Sequence, residues 1–257
     1  MAAHATMRMV EREALVFRKL WRGSVFSSFL MPVLFLAAMG VGLGTMVDQH
    51  SGSVGGVDYV AFVAPGLLAA TGTLVAAGES LWPILGGIKW QRTMHAMVAT
   101  PVGPNDVFLG HVIWAAVRTL ITATAFVIVA TPLGGVISPW GILAIPAAAL
   151  TATAFSAPLA AFSATQESDL AFPLIMRLGI IPLFLFSGTF FPISQLPRWI
   201  QPLAVCSPLW HGVELCRAAT TGHGDLPVLV GHIAVLCAFI AAGAWWGRRT
   251  FTKRLAA

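Results

Sequence analysis

The 257-residue chain offers few side chains that could do chemistry, and they fall into two groups. Glu79, Arg118 and Arg177 interrupt long apolar runs, where an ionisable group costs about 2.5–3.5 kcal/mol on insertion scales and so asks for a partner or a function. Glu79 sits near the end of its run, where snorkelling or pairing keeps it cheap. Arg118 lies roughly 16 Å along the next helix, and Glu79 on the neighbouring helix is the partner that would relieve it. The two read either as a structural ion pair or as an ion-coupled or substrate site. Arg177, early in a later run, reaches the interface with its long stem. His211, Glu214 and Cys216 form the second group. His211 and Glu214 stand three apart on one helical face, which would suit two metal ligands or a base and its partner. No further ligands follow at metal-site spacing, and packing of a short helix is the simpler reading. His111 and His232 stand singly near run ends. There is no Gly-Lys-Ser or Gly-Lys-Thr phosphate loop, no HExxH, no paired-cysteine site and no GxSxG elbow. By itself the chain carries no nucleotide-hydrolysing machinery, so uphill transport would draw on a partner protein or an ion gradient.

These residues must be positioned by helices in a bilayer. The chain is 57% hydrophobic and 10% charged, with a mean hydropathy of +0.82, against about 25% charge in soluble domains. Its length allows about six spanning helices with short connections and no sizeable soluble domain. The net charge of +5 could suggest nucleic acid, but its placement argues for a membrane. Arg8, Arg12, Arg18, Lys19 and Arg22 precede the first long apolar run, and Arg248, Arg249, Lys253 and Arg254 follow the last, which is the positive-inside pattern. Cys206, Cys216 and Cys237 contain no CxxC pair and read as small buried hydrophobes. A Cys206–Cys216 bridge would require both thiols to face an oxidising side.

Along the chain, Met7, Val10, Ala14, Phe17 and Trp21 share one stripe, and Arg8, Arg12, Lys19 and Arg22 lie away from it. Residues 1–23 thus read as an amphipathic helix lying in the membrane interface rather than as a signal peptide. Spans are expected at 24–46, 59–85, 107–131, 139–163, 172–191 and 227–246, with Trp245 and Trp246 as interfacial anchors. The fold class is all-α: a polytopic membrane protein of six transmembrane helices in a single transmembrane domain. With both termini inside, the inner segments hold eleven Lys and Arg and the outer ones two. Residues 192–226 fit neither a free loop nor a span. Pro192, Pro197, Pro202 and Pro208 interrupt a stretch kept apolar by Trp199, Ile200, Leu203 and Trp210, and two short re-entrant helices dipping into the outer leaflet satisfy that pattern.

The inner connection 86–106 is the most informative polar segment. The spacing predicts a helix over about 88–99, ended by Thr100-Pro101 because the residue before proline avoids helical angles. Met94, Met97 and Val98 form an apolar face flanked by Lys89, Arg92 and His95. Such a helix suits docking into a groove of a cytoplasmic protein, or resting on headgroups.

Two long motifs make the chain resemble the type-2 ABC exporter permeases, in the branch that exports nodulation factors, O-antigen and daunorubicin-type drugs. One runs from Arg92 through Thr93, Met94, His95, Met97 and Val98 to Pro101 and Val102. The other runs from Phe186 through Phe191, Pro192, Leu196 and Pro197, followed by Pro208-Leu209-Trp210-His211-Gly212 and on to Arg217. The resemblance covers nearly the whole chain. It implies that the first motif is a coupling helix docking on an ATPase subunit, often with Glu where this chain has His95. It implies that the second, including Trp199, forms outer re-entrant helices closing the exit side, and that the N-terminal helix is an interfacial connector. It further implies two cytoplasmic ATPase subunits, which bind the ATP and Mg, and a second permease, identical or paralogous. The chain itself would hold no cofactor and no metal and bind no nucleic acid. It would sit in a bacterial inner membrane, moving an amphipathic cargo such as a glycolipid, a lipid-linked glycan or a hydrophobic drug.

Two other classes compete on residues alone. A gradient-driven transporter would use Glu79 and Arg118 as its coupled pair, but should show related halves, and residues 1–130 and 131–257 show no convincing repeat. A membrane-embedded lipid-modifying enzyme would use His211 and Glu214, but lacks a nucleophile or metal set.

Overall fold

The computed structural model describes residues 2–38, 42 and 56–256. In chain order the helices are α1 (Ala2–Ala37), α2 (Tyr59–Trp90), α3 (Thr93–Val98) and α4 (Pro104–Ala130). They are followed by α5 (Pro139–Ser163) and α6 (Ala171–Phe186), α7 (Gln201–Val205), α8 (Pro208–Thr221) and α9 (Leu226–Leu255). Among the described residues, α2, α4, α5 and α9 are long and apolar enough to cross a membrane, and α6 is a shorter apolar helix. The chain is an all-α polytopic membrane protein. Residues 39–41 and 43–46 of the expected first span, and 47–55 of the loop after it, lie outside the described residues.

Helix α5 is the hub, packed by α2, α4, α8 and α9. Its composition explains the position: Ala148, Ala152, Ala157, Ala160 and Ala161 are fully buried, and small side chains let helix backbones approach where lipid offers no hydrophobic drive. At Gly212 of α8 an added Cβ would come within 2.1 Å of Thr151 Oγ1 on α5, so glycine is what permits that crossing. Polar cross-links are short hydroxyl bonds. Ser80 and Ser156 Oγ atoms lie 2.9 Å apart, and Ser163 Oγ donates to the Leu81 carbonyl at 2.7 Å. The latter bond falls at the break in α2 at Leu81, two residues before Pro83, where the carbonyl also accepts from Leu85 N–H at 3.3 Å.

Helix ends differ from expectation for identifiable reasons. Helix α1 is continuous through residue 23, where a connector was expected to end and a span to begin. It packs along α4: Thr6 Oγ1 donates to Asp106 Oδ1 at 3.0 Å, Met9 is buried against Gly110, and Phe17 meets the Trp114 ring edge-on at 5.9 Å. The packed face is therefore Thr6, Met9 and Phe17, while Met7 and Ala14 of the expected stripe are exposed. Helix α2 continues past residue 85 through a wide π-type turn closed by Gln91 N–H donating to the Gly86 carbonyl. Helix α4 starts at Pro104, where Asp106 caps it by accepting from Gly103 N–H at 3.1 Å. Helix α6 stops at Phe186, short of the expected 191, because Gly188 takes a left-handed φ of 78° that favours glycine. Helix α9 runs beyond residue 246 and carries the four terminal bases outward.

Candidate functional site: a docking helix and a re-entrant hairpin

The bundle has one basic end. There Thr6 bonds Asp106 and, separately, Glu167 pairs with Lys89 and Arg254, while the turn before α5 and the end of α8 mark the other, joined by Ile137 and Ser138 N–H groups donating to the Thr220 carbonyl. Helix α3 sits on the basic end. It is shorter than the expected 88–99 because Arg92 adopts a left-handed φ of 52°, the one such non-glycine residue among those described. That conformation costs a side-chain-bearing residue about 1–2 kcal/mol and turns the chain sharply from α2 into α3.

The apolar stripe of α3 faces inward. Met94 is 2% exposed and joins Ile84, Ile88, Val107, Phe108 and Phe251, with Met97 and Val98 packed against the same cluster. Arg92, His95, Ala96, Ala99 and Pro101 are exposed, and Thr93 is half-buried. Of the residues singled out in the sequence, Met94, Met97 and Val98 thus anchor the helix to its own bundle, and Arg92, His95 and Pro101 are offered outward. The apolar face was legible, but its direction was not, because a short amphipathic helix reads the same whether its stripe meets its own bundle or another protein.

Glu167, in the turn after α5, ties this end together. It accepts from Lys89 Nζ, with Oε2 3.4 Å away, and also pairs with Arg254 of α9. The Arg254 hydrogen bond and charge, then Lys89, hold its carboxyl below the usual carboxylate range. Its role was not readable beforehand, since its partners are distant in sequence.

Within the bundle, Arg118 Nε lies 3.5 Å from Glu79 Oε1, and the Arg118 guanidinium stacks over the Phe17 ring at 4.4 Å. The pair joins α2, α4 and α1. Because α2 runs on to Trp90, Glu79 sits roughly 16 Å from the helix end, deeper than its place in a span ending at 85 would put it.

Residues 187–207 run through short turns and α7 before α8 packs back into the core. After α6 the chain turns at Gly188, and Thr189 packs where a Cβ on Gly66 would stand, 2.7 Å from Thr189 Cα. Phe190 meets Phe184 and Phe35. Pro192 and Pro197 bracket a single 3-10 turn over Ile193–Gln195, Leu196 is buried, and Phe191 is half-buried. Trp199 and Leu203 are exposed. Helix α8 then returns with Pro208 at its first turn and Leu209, Val213 and Cys216 buried in the main core.

His211, Glu214 and Cys216 do not converge. Cys216 Sγ donates to the Ala144 carbonyl at 3.6 Å, Glu214 pairs with Arg217 at 2.5 Å, and His211 Nδ1 meets Nδ1 of His232 at 2.7 Å. The three cysteines are free, and no group of three metal-capable side chains occurs among the described residues. The His211–His232 pair, flanked by Trp210 at 4.8 and 5.0 Å, joins α8 to α9. It has no sequence signal because the two residues are on different helices.

A bundle with four helices long and apolar enough to cross a membrane among the described residues, and a short buttressed helix on its basic end, has the construction of a transporter's membrane subunit. Residues 5–220 match the ABC-2 type transporter family, and the chain belongs to it. It is 34% identical to nodulation protein J of Rhizobium leguminosarum bv. viciae, over 89% of this chain and 86% of that protein. It is 30% identical to nodulation protein J of Rhizobium meliloti, over 95% and 91%. The inner membrane transport permease YadH of Escherichia coli is 25% identical over 88% and 86%. The chain is the multi-pass inner-membrane permease subunit of an ATP-driven exporter, not itself an enzyme, without a cofactor of its own, and served by a separate ATPase subunit.

Proposed function

We propose that the chain crosses the membrane six times with both ends in the cytoplasm, pairs with a second permease, and is driven by two ATPase subunits that press on α3. Charge supports the orientation: eleven Lys and Arg then lie inside and two outside. The observation that carries the docking role is the division of α3 into a buried face, Met94, and an exposed one, Arg92, His95 and Ala96. A helix anchored by its apolar side transmits a push to the cluster of Phe108 and Phe251, and so to α4 and α9. Closure of the ATPase pair on ATP then biases the bundle between two states, and transport follows from differential binding of cargo to them. Residues 192–226 form the outer re-entrant hairpin on the exit side. The cargo class is amphipathic, a glycolipid, lipid-linked glycan or hydrophobic drug, because the bundle offers broad apolar surface and few charges able to select an ion.

Deleting residues 92–99 tests the docking role. The expected result is a membrane-inserted permease that no longer co-purifies with its ATPase. Undiminished co-purification overturns the assignment.

A further inference from the structure

On the side away from α3, two cavities adjoin and share Ala218, Gly224 and Leu229 as their common wall. One, of about 700 Å³, lies between α5, α8 and α9 and is lined by carbon, including Trp140, Leu150, Leu215, Val230 and Ile233. The other, of about 460 Å³, is a cup of mixed lining in which Glu214, Arg217, Thr221, His223, Asp225 and His232 stand among apolar side chains such as Phe62 and Val228. We infer that the two together form a binding site for one membrane amphiphile, its chain in the groove and an uncharged, hydroxyl-rich head in the cup. The inference rests on the orientation and cargo class proposed above and deepens them, placing the site in the outer leaflet.

The charges in the cup choose the head. Two carboxylates and one guanidinium line the cup; both terminal nitrogens of that guanidinium are engaged, and its Nε is buried without a partner. Arg217 Nη1 donates to Glu214, Nη2 donates to the Gly188 carbonyl at 2.6 Å, and the group stacks over Phe62 at 4.2 Å. An anionic phosphate head would meet two carboxylates and, among the described residues lining the cup, no lysine or second arginine. Sugar hydroxyls suit the same lining, because they donate to carboxylates and exchange hydrogen bonds with imidazoles and Thr221. His211 acts behind the cup: by engaging Nδ1 of His232 it leaves the Nε2 of His232 for a ligand. The groove's volume falls in the usual range for a bound small molecule, roughly 300–1,000 Å³.

Trp140, 64% exposed at the groove, supplies the readout. The permease–ATPase complex, without ATP in phosphatidylcholine nanodiscs, is titrated with chain-brominated dodecyl maltoside and with chain-brominated phosphatidylglycerol. The signal is the tryptophan quenching lost in Trp140→Phe. The expected result is saturable quenching by the maltoside, with half-saturation about tenfold below that of phosphatidylglycerol, equivalent to about 1.4 kcal/mol. Ala147→Phe, which fills the groove, should raise that midpoint by about tenfold, and Val230→Phe on the exposed face of α9 should do the same without touching the core. Asp225→Lys should narrow the preference for the uncharged head. Quenching that rises without saturation for both probes, or a midpoint indifferent to both groove fillings, overturns the site. Failure there with ATP-driven transport and ATPase co-purification intact would leave the transporter reading standing and remove this inference alone.

Discussion

Arg118 is held between a carboxylate and an aromatic face, with Nε 3.5 Å from Glu79 Oε1 and the guanidinium 4.4 Å from the centre of Phe17. Three helices meet at this one cation. Glu79→Gln removes the counter-charge and leaves the stacking, so the permease should lose about 2 kcal/mol of stability, less than the 3–5 kcal/mol of a fully buried broken pair. Transport should fall mildly at most. A thermal melt and a transport assay on the same preparation separate the outcomes: total loss of transport with unchanged melting would make the pair a coupling site.

The two faces of α3 should separate stability from docking. Met94→Ala cuts a side chain that is 2% exposed and should cost about 2–5 kcal/mol of fold stability. His95→Ala touches no core contact and should leave melting unchanged while weakening ATPase co-purification. Arg92→Gly and Arg92→Ala remove the same guanidinium, but glycine accepts the φ of 52°, so the glycine variant should melt higher by about 1 kcal/mol in stability. Equal ATPase loss in both would assign the docking effect to the side chain rather than to the turn.

Much of this architecture was legible because bilayer solvation imposes coarse rules. Apolar length marks candidate spans such as 139–163, whose limits match α5, and the prolines at 192, 197 and 208 fall where the chain breaks into short helices and turns. What escaped was anything set by contact between distant residues. The inward turn of Met94 depends on Phe108 and Phe251, and the His211–His232 bond depends on where α8 meets α9. The packing of residues 6–17 along α4 depends on the space above Gly110. A stripe shows that a face will be covered; it does not show by what.

The α5–α8 crossing should be sensitive to a single methyl group. A Cβ at position 212 would stand 2.1 Å from Thr151 Oγ1 and 2.5 Å from its Cγ2, and Thr151 is fixed by its own bond to the Ala147 carbonyl at 2.8 Å. Gly212→Ala should therefore destabilise by about 1–3 kcal/mol, as overpacking does. Thr151→Ala should restore most of that loss, giving a coupling energy in a double-mutant cycle well above the few tenths expected of independent sites. Additive losses would show that the helices move apart freely.

Glu167 should behave as an acid-labile clip over three segments that also share an apolar cluster beneath it, the end of α2, the turn after α5 and the end of α9. Its carboxyl is held below the ordinary 4.5 by the Arg254 hydrogen bond and charge and then by Lys89. A depressed carboxylate contributes stability that is fully present above its unfolded value and is lost as pH falls through the lower folded value. The difference in melting between the native chain and Glu167→Gln should thus stay constant from pH 8 to about 5, then shrink below 4.5. Because the site is open to solvent, 1 M salt should reduce the difference at neutral pH, where the Debye length falls to about 3 Å. A difference that grew on acidification would show that Glu167 works through its protonated form, and the clip would have to be replaced by a neutral hydrogen bond.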